Sequence, residues 1–108
     1  MMRSTIGLVE EVEIKGQKIK AKIDTGATRS SIDLSLAAKL SLGPIVGIRS
    51  YKSALGRHTR PVIQDYVLIA GKKVKARFNL ISRKSLKYKI LIGTGVLKAG
   101  NFLIDPKK

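Results

Sequence analysis

The sequence contains no cysteine and no tryptophan, and it has a single histidine and few aromatic residues. The absence of cysteine excludes a disulfide framework, a thiol nucleophile and a thiolate zinc site. The one histidine, His58, leaves no second imidazole for an ordinary zinc site. Because aromatic residues rarely lie between the lysines, a stacking platform for single-stranded nucleic acid is poorly supported as well.

Long apolar runs are also missing, and Glu10 and Glu11 interrupt the N-terminal segment where a signal peptide needs its apolar stretch. We therefore expect a cytoplasmic protein that makes no membrane contact. A chain of 108 residues buries about two thirds of its unfolded surface, which is enough for one core but not for two. We accordingly expect one domain over residues 1–108, without linker, repeat or low-complexity segment.

Positive charge is abundant, since 22 Lys and Arg against 7 Asp and Glu give a formal net charge of +15. Such a charge accelerates encounter with anions, and nucleic acid and acidic peptides both satisfy it. The basic residues mostly alternate with apolar ones, as in residues 18–23 and 73–78, which is typical of strands with one solvent-exposed face. For most of these lysines a solvated sheet face is a simpler interpretation than a binding stripe.

Plentiful Ile, Val and Thr residues, separated by frequent turn signals, predict a mainly β fold. Asp33 is a plausible N-cap for a short helix over residues 34–40, and a second helical turn is expected over residues 95–98. The chain is otherwise expected to form a compact β barrel. The predicted strands are residues 5–14, 17–24, 45–53, 58–70, 73–81, 88–92 and 101–105.

A short segment between two long predicted strands is a candidate flap. Residues 54–57, with the sequence Ala-Leu-Gly-Arg, join the strands at 45–53 and 58–70 and form a small flexible tip flanked by basic residues. Such a tip could close over a bound substrate and exclude bulk water.

The most informative segment is residues 19–27, in which an apolar strand delivers Asp24 into a Thr25-Gly26-Ala27 loop. A carboxylate used for acid–base chemistry must be held rigidly and approached closely by substrate, which a strand end followed by glycine permits. The Thr25 hydroxyl can anchor the loop, while Gly26 and Ala27 leave space for another backbone. For the tripeptide alone, an Asx-type turn that closes a hairpin is the more frequent interpretation.

A second element raises the specificity of this pattern. Residues 90–92 are an apolar run that leads into Gly93, and a short helix containing Val96 and Leu97 follows. The two motifs, with a flap between them, resemble the retropepsin-like aspartic proteases, in which an Asp-Thr/Ser-Gly-Ala loop packs beside an apolar strand ending in glycine. The resemblance implies a mainly β fold, a closed retropepsin-like (acid protease) barrel with one or two short helices.

The chain is most similar to one branch, the family labelled ATP-dependent zinc proteases, which often occurs with glutamate ligases of the ATP-grasp type. Neither part of that label fits, because the sequence has no thiolate, no histidine pair and no phosphate-cradling Gly-Lys-Ser/Thr loop. We expect no metal and no cofactor. Thr28 and Thr94 depart from the retroviral pattern, which usually has an acid and an arginine there as an ion pair. The matching segments are residues 19–31, 60–63, 80–86, 90–93 and 102–106.

The resemblance implies a homodimeric aspartic peptidase, because a single Asp24 cannot supply two carboxylates. Two Asp24 carboxylates facing each other would share one proton, so that one polarises the scissile carbonyl while the other activates water. Thr25 would support the loop, and the backbone around Gly26 and Ala27 would align substrate. The family resemblance further implies trimming of glutamate residues from a protein tail.

We expect the substrate to be an acidic or glutamate-rich peptide, because arginine pairs carboxylates well. Ordinary surface charge is an equally good interpretation for any single basic residue. The alternative function is a non-enzymatic basic module of the same fold that holds an acidic protein or RNA, and a third reading makes Asp24 and His58 zinc ligands. The predicted substrate-binding residues are Arg29, Arg49, Lys52, Leu55, Gly56, Arg57 and Arg60, of which Arg60 is the strongest candidate.

Overall fold

The computed structural model describes residues 3–108, and for these residues it confirms a mainly β fold with two short helices. The elements in chain order are β1 (Ser4–Ile6), β2 (Val9–Ile14), β3 (Gln17–Ile23), β4 (Ser30–Asp33), α1 (Leu34–Lys39), β5 (Ile45–Ser53), β6 (Gly56–Ile69), β7 (Lys72–Ile81), β8 (Ile90–Ile92), α2 (Thr94–Ala99) and β9 (Phe102–Ile104). Neither helix in this part of the chain is long and apolar enough to cross a membrane.

Seven strands form one sheet in the order β2-β3-β8-β4-β7-β6-β5, whereas β1 and β9 pair with each other in parallel. Strand β2 also pairs with β6, through Val12 opposite Ile69 and Glu13 opposite Leu68. This extra pairing links six strands into a ring. Strand β5 lies outside the ring, pairs with β6 alone among the described strands, and is exposed along most of its length.

Most of the core comes from the ring strands, whose alternate side chains point inward, and β1, β9 and the two helices add further buried residues. β-branched residues dominate the core, which agrees with their preference for pleated, buried surfaces. Burying each of these side chains contributes about 1.5–3 kcal/mol. The largest fully buried side chains are Phe78, Ile6, Ile14, Ile32, Ile63, Ile69, Ile90, Ile92, Val12 and Val67.

The strand predicted over residues 5–14 is in fact two strands that belong to different sheets. The break falls at Gly7 and Leu8, where the Gly7 N–H donates to Glu10 Oε2 at 2.7 Å. A Cβ at position 7 would be 2.8 Å from the backbone oxygen of Lys108, so glycine allows the two chain segments to pass closely. The uninterrupted strand was therefore a wrong prediction.

Strand β4 is absent from the predicted strands, because the sequence Ser-Ser-Ile-Asp of residues 30–33 has only one apolar residue. All four residues are buried, and β4 pairs in parallel with β7 and antiparallel with β8. Its polar side chains accept hydrogen bonds from distant backbone groups: Gly93 N–H donates to Ser30 Oγ and Arg83 N–H donates to Asp33 Oδ1. Long-range pairing thus places a polar strand in the interior.

The predicted helices are present, with small shifts at their ends. Asp33 is the N-cap of α1, and its Oδ2 accepts a hydrogen bond from Leu36 N–H at 3.2 Å. Helix α1 ends at Lys39, one residue earlier than predicted, and α2 begins at Thr94, also one residue earlier. The flap tip is shorter than residues 54–57, because β6 already begins at Gly56, whose φ of +118° favours glycine.

Candidate active site

Asp24 lies at the end of β3, where that strand runs parallel to β8 with Ile23 opposite Ile92. The Asp24 N–H donates to the backbone oxygen of Ile92 at 2.9 Å. Its carboxylate Oδ1 accepts a hydrogen bond from Gly26 N–H at 2.9 Å. The side chain remains partly exposed. The strand pair therefore fixes the backbone, the loop orients the carboxylate, and solvent or substrate can reach it.

The remaining residues of the predicted loop surround this carboxylate. Thr25 and Gly26 are exposed, whereas Ala27 is partly buried and its N–H donates to the backbone oxygen of Asp24 at 3.3 Å. A Cβ at position 26 would lie 3.2 Å from Asp24 Oδ1, closer than ordinary van der Waals contact. Glycine at position 26 thus leaves the carboxylate in its hydrogen-bonded position.

The two sequence motifs are in direct contact. Thr94 N–H donates to the backbone oxygen of Ala27 at 2.7 Å, and Gly95 N–H donates to that of Thr28 at 3.0 Å. Thr28 and Thr94, where the retroviral pattern has an ion pair, are therefore each bonded through the backbone to the sequence neighbour of the other. The loop and the start of α2 form one hydrogen-bonded unit.

Ser30 also belongs to this unit, although the sequence pattern assigns it no role. Its buried hydroxyl accepts the hydrogen bond from Gly93 N–H at 3.0 Å, which ties β4 to the second motif. The sequence signal was present in the segment at residues 19–31, but the partner of a serine hydroxyl 63 positions away cannot be read from local pattern.

The flap carries a cluster of side chains on one face. Tyr51 and His58 are opposite each other in the β5–β6 ladder, and their rings stack with centroids 5.2 Å apart. The Arg60 guanidinium lies over the Tyr51 ring at 4.1 Å and donates from Nη2 to the Tyr51 hydroxyl at 2.8 Å. His58 Nε2 is 3.0 Å from Ser53 Oγ. Arg60 thus links β6 to β5 through Tyr51.

The strand register divides the other predicted flap residues between two faces. Arg49 is opposite Arg60, and Lys52 is opposite Arg57. Since directly opposed residues share a face and successive residues alternate, Arg49 lies on the Tyr51 face and the pair of Lys52 and Arg57 on the other. The flap tip exposes an apolar side chain, because Leu55 is 91% exposed and precedes Gly56.

Two neighbouring grooves bring together basic residues near the Asp24 loop. One, of about 320 Å³, lies between β5 and Arg29 and includes Arg49. The other, of about 360 Å³, runs from Thr28 past Lys75 to α2. Arg29 and Arg77 border both. We call these grooves, with Arg29, Arg49, Lys75 and Arg77, the basic groove.

Lys75 and Arg77 are additions to the predicted set, because the alternating pattern of residues 73–78 was interpreted as a solvated face. They do lie on one face of β7, but that face borders the basic groove. Arg77 is held there by a hydrogen bond from its Nε to Gln64 Oε1 at 3.3 Å. The alternating pattern therefore predicts which side chains point outward from β7, but it does not predict that the outward face lines a groove.

The zinc reading has no donor set in the described part of the chain. Within residues 3–108, no group of three or more His, Asp or Glu side chains could hold a metal ion. The contacts of His58 are with Ser53 and Tyr51, and the carboxylate of Asp24 is bonded to Gly26 N–H.

Several solved structures have the same fold. A Legionella pneumophila protein of unknown function is 20% identical with a TM-score of 0.70, and the alignment covers 99% of this chain and 96% of that chain. The simian foamy virus protease is 24% identical with a TM-score of 0.69, covering 83% of this chain and 91% of that chain. A foamy viral protease-reverse transcriptase bound to an RNA/DNA hybrid is 20% identical with a TM-score of 0.65, and the alignment covers 84% of this chain and 11% of that chain. Together they show a retropepsin-like fold.

No curated protein matches the chain. A family model described as RimB-like, retropepsin-like aspartic endopeptidase RimB, matches residues 35–108. This range contains the flap, the basic side chains of β5–β7 and the Gly93 motif, and it begins after the Asp24 loop. Because the match covers more than half of the sequence, the chain belongs to the RimB-like family of retropepsin-like aspartic endopeptidases.

Proposed function

We propose that this chain is an aspartic peptidase that acts as a homodimer, in which Asp24 of each copy supplies one of two catalytic carboxylates. The observation that carries the proposal is the Asp24 loop, whose carboxylate is held by Gly26 N–H and remains partly exposed. Membership of the endopeptidase family supports amide hydrolysis. The pairing of β2 with β6 supports a closed barrel as the scaffold of the loop.

The other aspartates of the chain have structural partners. Asp33 is buried and caps α1. Asp65 Oδ2 is 3.6 Å from Lys15 Nζ, and Asp105 Oδ1 accepts a hydrogen bond from Lys107 N–H at the C-terminal turn. A second catalytic aspartate therefore has to come from the Asp24 loop of another copy, related to the first by a two-fold axis.

The chemistry follows from placing two carboxylates about 3 Å apart. They cannot both ionise easily, so they share one proton and act as a coupled pair. The ionised member takes a proton from water, whose oxygen adds to the scissile carbonyl carbon, while the protonated member donates to the carbonyl oxygen. The carboxyl group that received the water proton then donates it to the departing amine as the carbon–nitrogen bond breaks, and the other carboxylate takes a proton back from a hydroxyl of the intermediate.

Surface features support pairing of two copies. The β1–β9 sheet has only two strands within the described chain, and Leu103 in β9 is 46% exposed. Such strand edges readily pair with another chain. Large apolar side chains are also exposed on β5 and at the flap tip, where Ile48 is 74% and Leu55 91% exposed. A second copy or a bound peptide would cover this apolar surface.

The basic groove supports an acidic peptide as substrate. Arg29 and Arg77 border both of its parts, and Arg49 and Lys75 add positive charge. Arginine side chains bind carboxylates with two parallel hydrogen bonds. We therefore propose a glutamate-rich peptide or protein tail as the substrate class, with peptide carboxylates lying along the basic groove and the flap closed above them.

The test combines cleavage with a count of active chains. Asp24→Asn should abolish cleavage of a glutamate-rich peptide, whereas Asp105→Asn, the matched control in the C-terminal turn, should keep it. If two Asp24 residues form each site, an equal mixture of wild type and Asp24→Asn at fixed total protein should have about a quarter of the wild-type activity, and independent monomers would give about half. Light scattering should give the dimer mass.

Retained turnover by Asp24→Asn, or activity from a strictly monomeric species, would refute the peptidase proposal. A wild-type protein that binds acidic peptide or RNA in a salt-sensitive way but cleaves neither would instead be a binding module.

A further inference from the structure

A mostly apolar recess of about 530 Å³ lies beside the strand that carries Asp24. Its walls combine apolar and basic side chains, among them Leu8, Ile23, Leu91, Lys22, Lys87 and Arg83. It shares no lining residue with the basic groove. The peptidase proposal above gives this recess no role.

The recess adjoins the catalytic loop. Ile23 immediately precedes Asp24, and its N–H donates to the backbone oxygen of Leu8 at 2.9 Å. Leu91 precedes Ile92, whose backbone oxygen accepts the hydrogen bond from Asp24 N–H. Ile23 and Leu91, which line the recess, are therefore the immediate neighbours of Asp24 and of the residue that binds the Asp24 backbone. The same strand pair, β3 with β8, therefore holds Asp24 and forms part of the recess wall.

Arg83 is the distinctive residue of this recess, because it lines the recess although it is only 7% exposed. Its Nε donates to the backbone oxygen of Tyr88 at 2.9 Å, and its backbone N–H donates to Asp33 Oδ1 at 2.7 Å. Lys89 Nζ closes the same loop by donating to the backbone oxygens of Arg83 at 3.0 Å and Lys84 at 2.6 Å. The guanidinium is thus held in place before any ligand arrives.

The charge of Arg83 lacks a close counter-ion. Within residues 3–108, the one ion pair shorter than 4.0 Å joins Lys15 and Asp65, so no carboxylate oxygen lies that close to the Arg83 guanidinium. The oxygens of Asp33 accept backbone hydrogen bonds from Arg83 and Leu36 instead. Burial lowers the pKa of Arg83, and the charge of Asp33 opposes that change. A buried, rigidly held cation without a close partner favours binding of an anion.

We propose that Arg83 is a specificity-determining residue, and that the recess receives the side chain of a substrate glutamate next to the scissile bond. The glutamate carboxylate pairs with Arg83, and its two methylene groups pack on Leu8, Ile23 and Leu91. Apolar walls that also carry basic side chains, of which Arg83 is buried, match this aliphatic acid better than a small inorganic anion. The proposal rests on the peptidase function and assigns one carboxylate of its acidic substrate.

The test is a double-mutant cycle between enzyme and substrate. The cleaved bond of a hexaglutamate-containing peptide is first located by mass spectrometry, and the glutamate on either side is then replaced by glutamine. Arg83→Met removes the charge and keeps a side chain of similar length. The factor by which it lowers kcat/KM should be about tenfold or more larger for the glutamate peptide than for the matching glutamine peptide. Lys98→Met, an exposed charge on α2, should lower kcat/KM for both peptides equally.

An Arg83→Met effect of equal size on both peptides, even a large one, would overturn the proposal, because a merely structural residue does not distinguish glutamate from glutamine. Complete loss of cleavage in Asp24→Asn together with this equal effect would leave the peptidase proposal intact. Cleavage retained in Asp24→Asn would refute the peptidase proposal itself.

A second measurement uses the wild-type protein and so does not depend on the folding of Arg83→Met. N-acetyl-glutamate N-methylamide should shift the methyl NMR signals of Leu8, Ile23 and Leu91, and the glutamine analogue should shift them much less. Shifts confined to the basic groove, or equal shifts with inorganic phosphate, would overturn the proposal by showing an anion site elsewhere or one without selectivity.

Discussion

Gly93 packs directly against the backbone of Arg29. A Cβ at position 93 would be 2.5 Å from the Arg29 backbone oxygen and 2.8 Å from that of Ala27. Because both atoms belong to the backbone, neither can rotate away as a flexible side chain would. The φ of Gly93 is −96°, so this position requires glycine for space and not for an unusual backbone conformation. The contact fixes the distance between the second motif and the Asp24 loop.

Gly93→Ala should therefore lower the free energy of unfolding by about 2–3 kcal/mol, since an added methyl group forces the loop and β8 apart. Urea denaturation measures this change. Gly47→Ala is the matched control, because a Cβ at position 47 meets no atom within 4 Å. The control should change stability by less than about 0.5 kcal/mol. Equal effects of the two substitutions would contradict the steric account.

The parts of the site that the sequence reveals are those set by neighbouring residues. The Asp24 loop follows from a strand that ends in Asp-Thr-Gly, and the N-cap at Asp33 follows from local chemistry as well. The flap also follows locally, from two long alternating segments separated by a small glycine-containing tip.

The parts that the sequence conceals depend on distant partners. Strand β4 is polar and becomes a strand because β7 and β8 surround it. Asp33 and Arg83 are bonded across 50 positions, and that bond helps to hold Arg83 at the recess. Composition identifies Arg83 as one more basic residue, and only the folded chain distinguishes this buried guanidinium from exposed surface charge.

Asp33 makes a pH-dependent contribution to stability. The hydrogen bond from Arg83 N–H lowers the pKa of Asp33 below its ordinary 3.8; burial opposes this, while Leu36 N–H and Lys89 support it. Because the folded-state pKa is the lower one, the stabilisation is complete above pH 3.8 and is lost as pH falls through the folded-state value.

Asp33→Asn should thus be less stable than wild type at neutral pH, and the difference should shrink as pH falls below about 4. Asparagine keeps the N-cap oxygen, so helix capping is retained while ionisation is removed. Urea midpoints across this pH range provide the measurement, with Asp105→Asn as control. A stability difference for Asp33→Asn that stays constant down to about pH 2 would exclude this linkage.

The Arg60–Tyr51 contact should slow opening of the flap. Tyr51→Phe removes the hydroxyl that accepts from Arg60 Nη2 but keeps the ring that stacks on His58. Loss of one such hydrogen bond amounts to about 1 kcal/mol, so amide exchange near the flap tip should accelerate about fivefold. Tyr66→Phe, which alters an exposed tyrosine in β6, should leave it unchanged. Equal exchange in wild type and Tyr51→Phe would show that the ring alone orders the flap.

The basic groove should bind carboxylates through Arg77, because this side chain borders both of its parts and is oriented by Gln64. Arg77→Gln in an Asp24→Asn background, which removes turnover, should weaken binding of a hexaglutamate peptide about five- to tenfold at low salt. Fluorescence anisotropy measures the Kd.

Added salt should reduce the difference in Kd between Arg77→Gln and its parent, because salt screens the Arg77–carboxylate contact, which only the parent makes. Arg3→Gln removes the same charge before β1, away from both grooves, and should weaken binding far less. If Arg3→Gln and Arg77→Gln weaken binding equally, net charge attracts the peptide and the groove does not position it. A Kd that responds to Arg77→Gln alone places peptide carboxylates between the flap and α2, beside the Asp24 loop.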